Sequence, residues 1–192
     1  MKVVAFNGSA RKNGNTALMI EQVFDVLKAE GIETELISLA GQDIKGCLAC
    51  NKCVESQNRR CAAITDDPVN EYIAKIDEAQ GVILGSPVYF ATLSSSLKVL
   101  IDRAGKVAKV NGDMYRRKVG AAVVAVRRAG SVLTFDTINN FFLISQMIIP
   151  GSSYWNTGIG HAPGDVSDDA EGMRTMKTLG ENMAWLIKKT AS

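Results

Sequence analysis

The stretch Lys2–Leu27, KVVAFNGSARKNGNTALMIEQVFDVL, decides the fold. Its opening, Lys2–Phe6, is a short apolar run that predicts a strand. Apolar residues then recur at Met19, Ile20, Val23, Phe24 and Leu27, the spacing of one helix face. Asn15 stands at the cap and Gly31 at the stop, so a helix is expected through about Glu30. Between strand and helix lies Gly8-Ser9-Ala10-Arg11-Lys12-Asn13-Gly14-Asn15-Thr16. A helix start reached through such a loop offers an anion free backbone N–H groups and the positive end of the helix dipole. Ser9, Asn15 and Thr16 add short polar donors, and Arg11 adds charge. An ordinary turn with an Asn cap accounts for Asn15 and one glycine, but not for the other donors. The loop has neither the GxxxxGK(S/T) nor the GxGxxG spacing, which argues against a nucleoside triphosphate or a Rossmann dinucleotide. The strand does not end in an acidic residue, as a phospho-acceptor domain requires.

The same alternation continues along the chain. Thr34–Leu39 predicts a second strand. After it, Val69, Tyr72, Ile73 and Ile76 mark a helix capped by Asp66 or Asp67, with Pro68 near its first turn. Gly81–Gly85 predicts a strand buried on both faces, and Ser94–Arg103 a helix with Leu97, Leu100 and Ile101 inward. Val119–Val126 is a fourth strand, apolar throughout. Val132, Phe135, Ile138 and Phe142 mark a helix, Met147–Ser152 a weaker fifth strand, and about Asp169–Lys189 the last helix. Its Met173, Met176 and Met183 have helical spacing and are read as core filler. Five strand–helix units with doubly apolar strands predict an α/β domain with a parallel sheet covered on both faces. No repeat or linker interrupts it, so residues 1–192 are expected to form one domain.

Composition narrows the function. A net charge of +2 is too small to suggest nucleic acid or a membrane surface. No apolar run approaches the roughly 20 residues that span a bilayer. No secretory signal is visible, so a cytoplasmic location is expected. There, cysteines serve more often as ligands or redox groups than in disulfides.

All four cysteines fall in an expected loop at 43–65: Cys47, Cys50, Cys53 and Cys61, spaced C-x2-C-x2-C-x7-C. Four thiolates are the ligand count of a cubane iron–sulfur cluster. A structural zinc site more often uses two separated CxxC arms. From spacing alone, four reduced and partly buried cysteines explain the segment about as well as a cluster does.

Two further loops sit at expected strand ends. Gly85-Ser86-Pro87-Val88-Tyr89-Phe90 follows the third strand, where ligands bind in open α/β sheets. Pro87 stiffens this loop, while Tyr89 and Phe90 offer flat apolar surface to a ring system, or cover the sheet edge. Arg127-Arg128-Ala129-Gly130-Ser131 adds donors after the fourth strand. His161 is the only histidine, which leaves a Cys–His or Ser–His–Asp mechanism little support; a surface-loop role is expected for it.

Taken together, GSARKNGNT, CLACNKC with Cys61 and the following DDP, GSPVYF, and LKVLIDR resemble the flavodoxin-like NAD(P)H-dependent FMN reductases, and within them the iron–sulfur flavoproteins. The motifs cover about half the chain. The resemblance implies a flavodoxin-like five-stranded parallel sheet of order 2-1-3-4-5. It implies FMN, with phosphate on Ser9, Arg11, Asn15 and Thr16 in the loop that contains Gly14. Ribityl and ring are then expected against Pro87, Val88, Tyr89, Phe90 and the loop holding Arg127, Ala129 and Gly130. Cys47, Cys50, Cys53 and Cys61 are implied as ligands of a 4Fe–4S cluster. The resemblance also implies a homo-oligomer, dimer or tetramer, in which subunit contacts complete the flavin pocket.

The functional expectation is an FMN-dependent redox enzyme passing electrons between a ferredoxin-like donor or NAD(P)H and an acceptor. FMN takes two electrons and releases them singly, so no side chain need act as a catalytic acid or base. One alternative is a cluster-free NAD(P)H-dependent FMN or quinone reductase. Another is a flavodoxin-like carrier, disfavoured by the mildly basic composition. The cysteine loop is expected to fold over the carboxyl rim of the sheet, towards its own flavin or a partner's.

Overall fold

The computed structural model describes residues 1–190; the last two residues of the expected domain lie outside them. The strands are β1 (Lys2–Asn7), β2 (Glu33–Ser38), β3 (Gly81–Pro87), β4 (Val119–Val126) and β5 (Thr157–Ile159). The helices are α1 (Asn15–Ala29), α2 (Lys52–Ser56), α3 (Val69–Glu78), α4 (Ser95–Val110), α5 (Ser131–Ile144) and α6 (Ala170–Thr190). All five strands are parallel, in the order β2-β1-β3-β4-β5, and the fold is flavodoxin-like as expected.

The apolar strands are buried because each feeds two cores. Val3 and Ala5 of β1 point to the face covered by α1 and α6, where Met19, Val23, Met176 and Met183 pack. Val4 and Phe6 point to the other face, against Ile73 of α3, Leu97 of α4 and Ile138 of α5. This alternation is the two-residue period of a strand with helices on both sides. No helix among the described residues is long and apolar enough to cross a membrane.

The expected fifth strand at Met147–Ser152 is incorrect. Only Ile148 bridges to β4, at Val119. Pro150 has no N–H to give the ladder, so pairing stops there. The chain follows the sheet edge until Asn156, whose side chain donates to the Ala122 carbonyl (3.0 Å) and whose carbonyl accepts from Val124 N–H (2.9 Å). Regular pairing resumes at Thr157, opposite Val124. Two smaller departures concern helices. Val132, one of the apolar residues that mark α5 in the sequence, is exposed. The cysteine segment is not wholly loop, since α2 forms within it.

Candidate functional site

β1 and β3 are neighbours although β2 intervenes in sequence, so their carboxyl ends flank the switch point of the sheet. The loop after β1 is shaped by Asn7. Its Oδ1 accepts the Ser9 N–H (3.0 Å) and its amide donates to the Lys12 carbonyl (3.1 Å). Ser9 Oγ accepts the Arg11 N–H (3.1 Å), and Gly8 N–H donates to the Gly85 carbonyl (2.8 Å), tying the loop to β3. Gly14, in extended backbone, takes the cap position, so Asn15 is the first helical residue rather than the cap.

Asn15 instead holds a segment that the sequence reading did not include. Its amide donates to the Ala162 carbonyl (3.0 Å), and its Oδ1 accepts the Gly164 N–H (2.8 Å). Arg11 Nη1 donates to the His161 carbonyl (3.0 Å). Gly160 permits the approach: a Cβ there would stand 2.6 Å from Asn15 Nδ2 and 2.7 Å from Val166 N. The loop after β5 therefore closes over the loop after β1.

An open cavity of about 230 Å³ lies between these loops. It is lined by Ser9, Arg11, Asn15, Thr16, Pro87, Val88, Tyr89 and Arg127, all expected from sequence, and by Ala125, Gly160 and His161, which were not. His161 is exposed, as expected of a surface loop, but it also lines this cavity. Gly14, Phe90, Ala129 and Gly130 do not line it. Gly130 caps α5 at φ +91°, and a Cβ there would meet Val88 Cγ1 at 3.0 Å, so the loop after β4 rests on the loop after β3. Thr16 Oγ1 is buried with no hydrogen-bond partner. A buried orphan hydroxyl beside free helix-start N–H groups is a donor set awaiting an acceptor-rich ligand.

Phe90 is fully exposed beyond the cavity. Tyr89 and Thr92 exchange backbone hydrogen bonds (2.9 and 3.3 Å) around Phe90 (φ +41°) and Ala91 (φ +79°). Tight turns with two positive φ values favour Gly or Asn, so Phe90 and Ala91, which have a Cβ and no local polar side chain, store strain at the mouth of the cavity.

The cysteine segment forms a second site. Cys47, Cys50, Cys53 and Cys61 line one small cavity, together with Ala62, Ala63, Ile64 and, from α4, Arg103, Lys106 and Val107. Cys47 and Cys50 are exposed, Cys61 is half-buried and Cys53 is buried. Burial raises the Cys61 thiol, but hydrogen bonds from the Ile64 and Ala63 backbone and from Arg103 outweigh it, leaving the thiol below its ordinary value. Among the described residues no group of three or more His, Cys, Asp or Glu is arranged to hold a metal ion. Four thiols spread around one cavity, with hydrogen-bond donors on Cys61, suit a larger sulfur-ligated body.

Both ends of this segment are held near the start of α3, Lys45 by Asp67 and Cys61 by Asn70, on the carboxyl side of the sheet where the sequence reading expected the loop. From Ser95, near the carboxyl rim, to Arg103 is a rise of about 12 Å along α4. The polar insert between Cys53 and Cys61 reaches towards the amino side, where Arg59 N–H bonds Asn111 just past the end of α4 (2.9 Å) and Arg59 pairs with Asp77 near the end of α3 (2.5 Å). The two cavities share no lining residue.

Residues 1–162 match a family model described as NADPH-dependent FMN reductase. An iron–sulfur flavoprotein of Methanocaldococcus jannaschii is 43% identical over 195 residues, covering 98% of each chain. One of Methanosarcina thermophila is 29% identical over 190 residues, covering 98% of this chain and 96% of that one. Among solved structures, RosB with bound intermediate 8-demethyl-8-formylriboflavin-5'-phosphate superposes with TM-score 0.79 at 17% identity, over 100% of this chain and 80% of that one. The NAD(P)H:(acceptor) oxidoreductase FerB of Paracoccus denitrificans gives TM-score 0.70 at 17% identity, over 98% and 97%.

Proposed function

The chain belongs to the NADPH-dependent FMN reductase family, and to the iron–sulfur flavoproteins within it, and from this we propose that it binds FMN at the carboxyl-edge cavity and a 4Fe–4S cluster at the cysteine cavity. It is a flavin-dependent oxidoreductase. The observation that carries the FMN reading is the unpartnered buried Thr16 hydroxyl, set beside Ser9 and Arg11 at the start of α1.

In this reading Ser9, Thr16, the first N–H groups of α1 and the Arg11 guanidinium receive the phosphate. Asn15 and the His161 carbonyl hold the two loops together around it. Pro87, Val88 and Tyr89 form the wall for the ring, and Arg127 closes the side nearest β4, on a loop that Gly130 seats against Val88. Bound FMN supplies two-electron uptake and one-electron release; the protein supplies binding, orientation and electrostatics. Cys47, Cys50, Cys53 and Cys61 are the ligand set for a cluster that supplies one-electron transfer.

The electron path we propose joins the cysteine centre of one copy to the flavin of another in a homo-oligomer, because within one chain the two cavities share no wall. Leu133, Leu143 and Ile144 support an oligomer, since they leave an exposed apolar face on α5. NADPH, or a ferredoxin-like protein, is the proposed electron donor. The test is saturation of flavin-free protein with FMN and FAD together. Retention of FMN supports the reading, and FAD retained at equal affinity contradicts it.

A second reading keeps FMN without a cluster. It is favoured by the lack, among the described residues, of a group arranged for a metal ion, and by the exposure of Cys47 and Cys50. It predicts iron-free protein that still oxidises NADPH.

A further inference from the structure

Arg103 is a charged side chain placed where charge is expensive. It sits on α4 with its side chain 1% exposed, paired with Asp67, whose side chain is 0% exposed. Burying such a pair is costly unless the remaining donors and acceptors are used.

They are used on the cysteine segment. Arg103 Nη1 donates to Asp67 Oδ2 and to the Lys45 carbonyl (3.2 Å), and Nη2 donates to the Ile64 carbonyl (3.0 Å). Asp67 in turn accepts the Lys45 N–H (3.0 Å) and the Val69 N–H (3.2 Å). Lys45 lies just before Cys47, and Ile64 just after Cys61. One guanidinium thus fastens both ends of the segment to α4.

Holding the segment does not by itself call for a cation. Asn70 already grips its second half, accepting the Cys61 N–H (2.7 Å) and donating to the Cys61 (3.1 Å) and Ile64 (3.3 Å) carbonyls. Two facts about Arg103 remain after clamping. Its Nε is buried and has no hydrogen-bond partner. It also lines the cavity of the four thiols, whereas Asp67 does not. Arg103 therefore borders the thiols, and its carboxylate partner does not.

We propose that Arg103 is the positioning residue of the cysteine centre: it clamps residues 45–64 to α4 and turns a positive charge and a free Nε–H towards the occupant of the cavity. The inference rests on the cluster reading above and assigns it a tuning group. One-electron reduction adds a negative charge to a cluster held by four thiolates. A cation and an N–H donor in a cavity of low dielectric stabilise the reduced form, so Arg103 raises the reduction potential.

The test uses the full chain, purified anaerobically and supplied with iron and sulfide. Cluster midpoints are read by electron paramagnetic resonance during titration with dithionite, for wild type, Arg103→Gln, Arg103→Lys and Asp67→Asn. Arg103→Gln moves the midpoint to lower potential, Arg103→Lys keeps it nearer wild type, and Asp67→Asn moves it to higher potential. A role confined to folding gives the two neutral substitutions no opposed shifts. Equal midpoints, or shifts in the same direction, overturn the tuning role. Asp67→Asn and Arg103→Lys keep the test alive if Arg103→Gln does not fold.

A second readout needs no cluster: amide hydrogen exchange of the metal-free protein. Arg103→Gln speeds exchange across residues 43–65 and leaves β3 unchanged; equal rates across that segment overturn the clamp. Wild-type protein that binds no iron contradicts the cluster reading itself and with it the tuning role, while the exchange result still decides the clamp.

Discussion

Asn15 Oδ1 accepts the Gly164 N–H at 2.8 Å across 149 residues of sequence. With the bond from its amide to Ala162, this closes the loop after β5 over the start of α1. Asn15→Ala is expected to cost about 1–3 kcal/mol, because it leaves the Gly164 N–H and the Ala162 carbonyl without their partner. Thermal unfolding checks the loss, and FMN affinity is expected to fall with it.

Arg11→Ala is expected to weaken FMN far more than riboflavin. A charge-assisted hydrogen bond is worth about 1.5–3 kcal/mol, or about tenfold to a hundredfold in affinity. Flavin fluorescence titration compares the two ligands. Equal losses would mean that Arg11 does not meet the phosphate and only braces the His161 carbonyl.

Thr16→Val is expected to act with opposite signs in the two states. Without flavin it removes a buried hydroxyl that has no partner, so stability holds or rises. With FMN it removes a donor, at a cost of about 0.5–1.5 kcal/mol in binding. Melting curves with and without FMN separate the effects; destabilisation of the flavin-free form would show that the hydroxyl is already satisfied there.

Glu35 on β2 links Lys2 of β1 to Lys75 of α3, 2.7 Å from Lys2 Nζ and 2.6 Å from Lys75 Nζ. Hydrogen bonds from Lys2 and then Lys75 hold its carboxyl below the ordinary glutamate value. A depressed carboxylate stabilises the fold fully above its unfolded pKa, about 4.3, and that share is lost as pH falls through the folded value. Partial exposure keeps the effect small. Urea midpoints from pH 6 down to about pH 3 are expected to fall more steeply for wild type than for Glu35→Gln; parallel slopes would remove Glu35 as a source of acid sensitivity.

Local chemistry made most of the frame legible. β4 is continuously apolar and has the expected bounds, and β1 differs from expectation by one residue. Ser9, Arg11, Asn15 and Thr16 were readable as neighbours in one loop because a strand, glycines and a helix start together have one geometry. The misses are tertiary. β5 was misplaced because Ile148 and Ile149 look like a strand, and Pro150 was not weighed against them. The loop at 160–166 reaches the site only through Asn15 and Arg11, far away in sequence; the small residues Gly158 and Gly160 before His161 were the available signal. Arg103 read as an ordinary helix residue because burial of a charge is decided by partners, here Asp67 and two carbonyls.

The account stands or falls on what the four cysteines hold. Protein purified without oxygen, as wild type and Cys53→Ser, should be analysed for flavin, iron and acid-labile sulfide. The account predicts about four iron and four sulfide per wild-type chain, loss of both in Cys53→Ser, and FMN retained in each. Wild-type protein that carries zinc, or no metal, would contradict it and leave a cluster-free FMN reductase.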